Sequence, residues 1–265
     1  MIAPSTQVSM WQEEPIAVKR GDIFALGRHR IACLDAFDTE TYKRLLQGVH
    51  PHAIVTDPPY GMRLDTNFES MRGSHTFRLE KGVTGGRKYS PVHGDEHDFD
   101  ASFLTSLFQD VPEQFWFGAN YYASSLGDTM HQGSWLVWDK RELENLDKMF
   151  GSCFELLWSR KRHKQDILRH RWAGVFGTEK EIEKRRSHPT QKPLPLIEDI
   201  ITRYTKPDET ILDMFLGSGT TIVASERTGR TAYGCELSEG YCEIAINRWQ
   251  YLTGQVARKV EEGQA

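Results

Sequence analysis

Thr56-Asp57-Pro58-Pro59-Tyr60 places a carboxylate, two imide nitrogens without protons and a phenol ring in direct succession. A proline offers no N–H, and it biases the residue before it toward extended geometry. The preceding run, Ala53-Ile54-Val55, is short, apolar and partly β-branched, so it reads as a buried parallel strand that stops abruptly. Asp57 is then held extended at the carboxyl end of a strand, where open α/β sheets bind ligands. Its carboxylate and the Pro58 carbonyl can accept two hydrogen bonds from one amino group. Tyr60 can stack on the flat ring that carries that group. A proline-rich turn with a surface tyrosine is the plainer alternative.

A second stretch, Ile211-Leu212-Asp213-Met214-Phe215-Leu216-Gly217-Ser218-Gly219-Thr220-Thr221, reads as an apolar strand, a Gly-x-Gly turn and a helix from near Thr220. Its glycines permit a tight turn and close approach of a ligand to the backbone. Another strand, Thr231–Cys235, ends in Glu236. An acid about 20 residues beyond such a turn is where ribose hydroxyls of a nucleotide-type cofactor are gripped. Thr221 and Ile222 stand where a dinucleotide site would carry its third glycine. That counts against NAD and leaves room for another adenosine-bearing cofactor.

These two motifs, with His188-Pro189-Thr190-Gln191-Lys192-Pro193 between them, resemble the DNA amino-methyltransferases. In that family an Asp-Pro-Pro-Tyr box holds the target amine and a Phe-x-Gly-x-Gly box binds S-adenosylmethionine. The amine box comes first here, an order similar to the β class, and the likeness runs from about Gly21 to Gly254. It also resembles the compact methylases of phages and prophages. The resemblance implies methyl transfer to adenine N6 in DNA by base flipping, without a covalent intermediate, with Asp57, Pro58, Pro59 and Tyr60 as the catalytic set. Cytosine N4, chemically similar and served by nearly the same box, is the alternative target; its enzymes more often open the box with Ser, so Asp57 tilts the reading to adenine, and an inactive DNA-binding partner subunit is a more distant alternative. For the cofactor it implies Asp213, Phe215, Gly217, Ser218, Gly219, Thr220, Thr221 and Glu236. It further implies Thr190 and Lys192 near the methionine carboxylate, and Asp35 near the adenine. Leu34 replaces the glycine usual before that acid, and Asp35 equally suits a turn or helix cap.

Positioning these residues requires alternating short strands and helices. Asp22–Leu26 and His29–Leu34 read as a hairpin running into a strand, and Asp38 as the cap of a helix over Thr39–Gln47. Asp100 caps a helix through Phe108. Gln114–Gly118, Ser134–Asp139 and Phe154–Trp158 read as strands, with a helix from Asn120 onward and most of their aromatics in the core. Leu194–Thr205, with Pro195 in its first turn, and Ser238–Leu252 are the later helices. The expected fold is a doubly wound, mostly parallel α/β sheet; the resemblance adds an antiparallel edge hairpin. One domain over residues 1–254 is expected, with a polar, frayed tail over 255–265. Within it, residues 61–98 form a polar loop that either orders on DNA or is a solvated insertion. Residues 159–187 hold the densest basic run: Arg160, Lys161, Arg162, Lys164, Arg169 and Arg171. It lies where resembling enzymes recognise their target, so it is expected on DNA phosphates.

The 265 residues are 38% hydrophobic and 26% charged, ordinary for a globular chain large enough to bury a core. No run approaches the ~18 apolar residues of a membrane span. The N-terminal residues carry no basic-then-apolar leader pattern, so a cytoplasmic location is expected. Four scattered cysteines suggest neither a disulfide framework nor a zinc site, and no metal is expected. A net charge of −4 argues against non-specific nucleic-acid binding, so DNA contact must come from local patches. The sequence leaves the oligomeric state open, a homodimer included.

Overall fold

The computed structural model describes residues 16–63, 93–141, 152–170 and 191–261. The chain opens with the hairpin β1 (Ile23–Leu26) and β2 (His29–Ala32). Helix α1 (Thr39–Leu46) starts where Asp38 accepts the Glu40 N–H, and it buries Tyr42, Leu45 and Leu46. Strand β3 (Ala53–Thr56) is buried at all four positions. Helix α2 (Ser102–Leu107) begins with the Ser102 N–H donated to the Asp100 carboxylate at 2.8 Å. Strand β4 (Glu113–Phe117) follows. The helix expected from Asn120 is instead a 3-10 turn, Ala123–Leu126, and the single turn α3 (Thr129–Gln132). Gly127, with φ +55°, divides them.

Next come β5 (Ser134–Asp139), β6 (Phe154–Ser159) and β7 (Ile167–Arg169). Helix α4 (Leu194–Tyr204), with its early proline, leads to β8 (Thr210–Asp213). Then follow α5 (Thr220–Thr228), β9 (Thr231–Cys235), α6 (Glu239–Thr253) and β10 (Arg258–Lys259). Among the described residues the strands form one sheet in the order β10-β1-β2-β9-β8-β3-β4-β6-β5-β7. The middle of that sheet, β2-β9-β8-β3-β4, is parallel throughout. The expected doubly wound α/β fold is therefore present.

Helices cover both faces. Tyr42 and Leu45 of α1 and Leu104 of α2 pack with Ile54, Trp116 and Leu212 on one side. Leu196, Ile197 and Ile200 of α4 meet Val55, Phe115 and Phe117 on the other. Ile246 and Trp249 of α6 extend that second layer over Ile31 and Leu26. Burial of this kind is worth about 1.5–3 kcal/mol per large apolar side chain.

Two expectations need correction. The antiparallel pair β5–β6 is present, but β7 lies outside it and pairs parallel to β5, so the pair is not the edge. The tail after Gly254 is not frayed as far as Glu261. Strand β10 pairs antiparallel with β1, Val260 N–H donates to Ile23 O at 2.8 Å, and Lys259 meets Asp22 at 2.6 Å. The outer edge of β1 would otherwise expose a row of unpaired backbone groups.

Candidate active site

The two chemistry-bearing motifs leave adjacent parallel strands at the same end, because Ala53 pairs with Ile211 and Ile54 with Leu212. From β3 the chain proceeds to β4 on one side, and from β8 to β9 on the other. This divergence is a topological switch point, which opens a crevice beyond the carboxyl ends of the strands. Asp213 ties its two walls together. Thr56 Oγ1 donates to Asp213 Oδ1 at 3.1 Å, and Thr221 Oγ1 donates to Oδ2 at 2.6 Å. The Phe215 N–H also reaches Oδ1, and the Met214 N–H donates to Thr56 Oγ1, both at 3.2 Å. Burial pushes the Asp213 carboxyl up to about 7 despite these hydrogen bonds.

Around Asp57 the groups are charged and share partners. Tyr60 OH donates to Asp57 Oδ1 and Lys192 Nζ donates to Oδ2, each at 2.6 Å. The Lys192 ammonium also stands 3.3 Å from Tyr60 OH and 3.4 Å from Glu155 Oε2. Lys140 Nζ donates to the other oxygen, Glu155 Oε1, at 2.5 Å. Burial raises the Asp57 carboxyl, with the Glu155 charge adding to it against the Lys192 ammonium. For Glu155 burial acts upward too, but Lys192 and Lys140 outweigh it and hold the carboxyl low. Lys192 is buried; its two carboxylates overcome desolvation and keep it cationic. Phe117 offers its ring face 5.0 Å from Nζ, a cation–π distance.

The ring of Tyr60 lies on Gly118, whose φ is +62°; a Cβ there would sit 2.2 Å from the ring. Only glycine allows that approach. Tyr121, 52% exposed, stacks on the same tyrosine at 5.1 Å and 13°. Just beyond, Met62 N–H donates to Asp95 Oδ1 and Arg63 N–H to Asp95 O, both at 3.0 Å. The two ends of the long 61–98 loop are thus pinned beside the amine box, and its 64–92 portion lies outside the described residues.

The glycine turn is built mainly of backbone. Gly217 N–H donates to Glu236 Oε2 and Ser238 N–H to Oε1, both at 2.8 Å. Burial raises the Glu236 carboxyl against these bonds. Gly219, φ +80°, lies so close to α6 that a Cβ would be 2.6 Å from Ala245 Cβ. This glycine therefore serves helix packing as well as ligand approach. Arg248 of α6 donates to the Ser218 carbonyl at 2.6 Å and to Thr220 Oγ1 at 3.3 Å. At the mouth, Phe37, Phe99 and Phe215 have ring centroids 5.5–6.2 Å apart, and Phe37 is exposed. Asp35 is exposed too, and it accepts the Phe37 N–H at 2.9 Å, so its turn role is realised at this same mouth. A carboxylate with lone pairs to spare, a glycine turn and an apolar wall fit the ribose and purine of the cofactor that the resemblance implies.

Gln191 and Lys192 connect the halves. Ser218 Oγ donates to Gln191 Oε1 at 3.3 Å, while the next residue reaches Asp57. Lys192, which the resemblance implies near the cofactor's carboxylate, engages two carboxylates of the protein itself. Thr190, with the rest of the His188 motif before it, and Arg171 lie outside the described residues.

The basic run divides between the ends of the sheet. Strand β6 runs antiparallel to β4, so it carries the chain back to the amino end, where Arg160 N–H meets Gln114 O at 3.2 Å. Lys161 is there paired with Glu113 at 2.6 Å, and Arg162 donates to Gln132 O at 3.2 Å. Arg160, Lys161, Arg162 and Lys164 are accordingly not brought to the Asp57 end. Arg169 is, because β7 runs with β5 and pairs it with Asp139. Sequence reading missed Glu155, Lys140, Gly118 and Tyr121. A lone carboxylate in the apolar strand Phe154–Ser159 was a usable signal for the first.

Comparison with known proteins gives concordant findings. A family model described as DNA methylase matches residues 130–247. The type II methyltransferase M2.DpnII of Streptococcus pneumoniae is 30% identical over 224 residues, which cover 74% of this chain and 81% of that protein. M2.LlaDCHI of Lactococcus lactis subsp. cremoris, also a type II methyltransferase, is 29% identical over 235 residues, 77% of this chain and 85% of that one. Among solved structures, that of the M1.HpyAVI-SAM complex is 26% identical and covers 82% of this chain and 98% of its own, with a TM-score of 0.47.

Proposed function

The chain belongs to the DNA methylases that modify exocyclic base amino groups, adenine N6 or cytosine N4, and we propose that adenine N6 is its target. It is a site-specific DNA methyltransferase, and S-adenosylmethionine is its cofactor. When bound, that cofactor supplies a methyl carbon on a positively charged sulfur. The observation that carries the reading is the Thr56–Asp213 tie, which sets the amine box and the glycine turn on two walls of one crevice.

Adenine N6 is a poor nucleophile, because its lone pair is conjugated into the ring. Two N–H groups donated to the Asp57 carboxylate and the Pro58 carbonyl favour a more tetrahedral nitrogen and aim its lone pair. Orientation and electrostatics then do the work, with no covalent enzyme intermediate. Nitrogen would gain a bond to the methyl carbon as the carbon–sulfur bond breaks and leaves its electron pair on sulfur; the nitrogen becomes positive and sheds one N–H proton, and Asp57 faces that charge and is the acceptor in reach. The base must first leave the duplex, which costs a few kcal/mol. Stacking on Tyr60, worth ~1–3 kcal/mol, offsets much of this once the base displaces Tyr121 from the ring it covers. Glu236 receives the ribose hydroxyls, Phe215 lines the purine side, and Arg169 stands at the end of the sheet where DNA arrives. The opening Asp of the box favours adenine over cytosine.

Incubating the purified chain with unmodified DNA and S-adenosylmethionine, then weighing the nucleosides of the digest, tests the assignment. N6-methyladenine is expected. N4-methylcytosine alone would transfer the assignment to cytosine, and unmodified nucleosides would end it.

A further inference from the structure

Lys192 occupies an oxygen that the reaction needs. Its ammonium lies 2.6 Å from Asp57 Oδ2, and Tyr60 already holds Oδ1. An amine arriving at Asp57 therefore finds each oxygen already accepting one hydrogen bond, with the lone pairs that remain weakened as acceptors by the ammonium on Oδ2. A cation kept on that carboxylate would also oppose the positive charge growing on the amine nitrogen. Lys192 cannot leave unpaired, because stranding a buried ammonium is strongly unfavourable.

The site contains a second acceptor for it. Glu155 Oε2 is buried, 3.4 Å from Lys192 Nζ, and accepts no hydrogen bond among the described residues. Its companion oxygen is held by Lys140, which fixes the carboxylate in place. The ring of Phe117, its centroid 5.0 Å from Nζ, also faces the ammonium. A flexible four-carbon stem allows so small a displacement.

We propose that Glu155 takes over Lys192 when the target amine enters, freeing Asp57 Oδ2 for that amine. Glu155 is thus a positioning residue for methyl transfer, acting through Lys192; this rests on the amino-methyltransferase reading above. The buried charges stay paired throughout, since one carboxylate replaces the other.

Charges facing Asp57 come from several elements: Tyr60 on its own segment, Tyr122 after β4, Glu155 on β6, Lys192 ahead of α4 and Asp213 on β8. Of these, only Glu155 and Lys192 are altered in the test. Glu155→Gln removes the competing negative charge, so Lys192 stays on Asp57. Single-turnover methyl transfer should fall by ~10-fold or more, while S-adenosylmethionine affinity holds within about twofold, as expected for a change away from the glycine turn. Asp57, followed by carboxyl-carbon NMR without DNA, should titrate lower in Glu155→Gln, which loses a charge that raises it, and higher in Lys192→Met, which loses one that lowers it. The acid limb of the pH–rate profile should move the same way.

The decisive variant combines the two. With Lys192→Met added, the Glu155→Gln protein should regain part of its lost rate, because there is no longer a cation to move. Both variants must keep wild-type thermal stability for the rescue to count, since removing the partner of a merely structural carboxylate restores folding and rate together. A Glu155→Gln protein as fast as the wild type would overturn the handover, as would a double variant slower than both single ones. If the wild type methylates DNA while Glu155→Gln matches it, the handover alone falls. If the wild type yields no methylated base, the functional reading falls first.

Discussion

The two walls of the crevice solve different problems. On the cofactor wall, Glu236 is held by two backbone N–H groups and Asp213 by two hydroxyls and a backbone N–H. Every such donor is neutral and fixed by the strand–turn–helix geometry. On the amine wall, Asp57, Glu155, Lys192 and Lys140 are charged side chains from four separate segments, and Lys192 is shared between two acids. A neutral, backbone-built wall binds without reorganising. A charged wall with a shared cation has more than one arrangement of similar energy, as a group must that changes partners during a reaction. Binding and chemistry are therefore separable by mutation.

The sharpest separation is Asp57→Ala. Transfer should fall by on the order of 10³-fold or more, since both the amine's acceptor and the counter-charge are lost. Cofactor affinity, measured by calorimetry, should be unchanged, because the glycine turn is tied through Thr56 and Asp213, not through Asp57. Lys192 keeps Glu155 as a partner, so the fold should survive. Equal turnover by this variant would remove Asp57 from the mechanism, and a parallel loss of cofactor binding would show the walls are not separable.

A middle-sized effect distinguishes the walls by pH. Asp213 titrates at about 7 in the folded protein, against an ordinary carboxyl value near 3.8. The folded state therefore binds more protons than the unfolded state between those values. Stability from this group is fully present below the unfolded value and is lost as pH rises through the folded one. Compared with Asp213→Asn, the wild type should lose up to about 1.4 kcal/mol per pH unit across that window. Denaturant unfolding of both proteins from pH 5 to 8 measures it. A difference that does not vary with pH would mean Asp213 is already ionised in its buried site.

Much of this was legible in the sequence, for identifiable reasons. Ala53–Thr56 and Thr210–Asp213 are short apolar runs closed by prolines or glycines, so their strands and the motifs after them read directly. Asp38, Asp100 and Ser238 signalled helix starts through local hydrogen bonds, which span only two or three residues. What did not read was whatever depends on strand order. Glu155 reaches Lys192 only because β6 lies antiparallel beside β4, and no local pattern encodes that neighbour. Tyr121 and Gly118 matter through the ring of Tyr60, a contact across about 60 residues of chain. Strand β10 is two residues long and is polar and exposed, so it carries no periodicity to detect.

The smallest expected effect concerns the basic run, where density of charge and place in the fold disagree. A phosphate contact contributes to DNA affinity only where the phosphate can reach it. Lys161 and Arg162 sit at the amino end of the sheet, and Lys161 and His163 are both committed to Glu113. Arg169 stands at the carboxyl end with its side chain 64% exposed, its approach to Asp139 a long 3.8 Å. Lys161→Ala should thus change DNA affinity by less than about twofold, whereas Arg169→Ala should weaken it several-fold and reduce the salt slope by about 1. Fluorescence anisotropy over a range of salt concentrations compares them. The reverse ranking would mean that DNA wraps to the far end of the sheet, and that the run should be read by its density rather than by the strand that carries it.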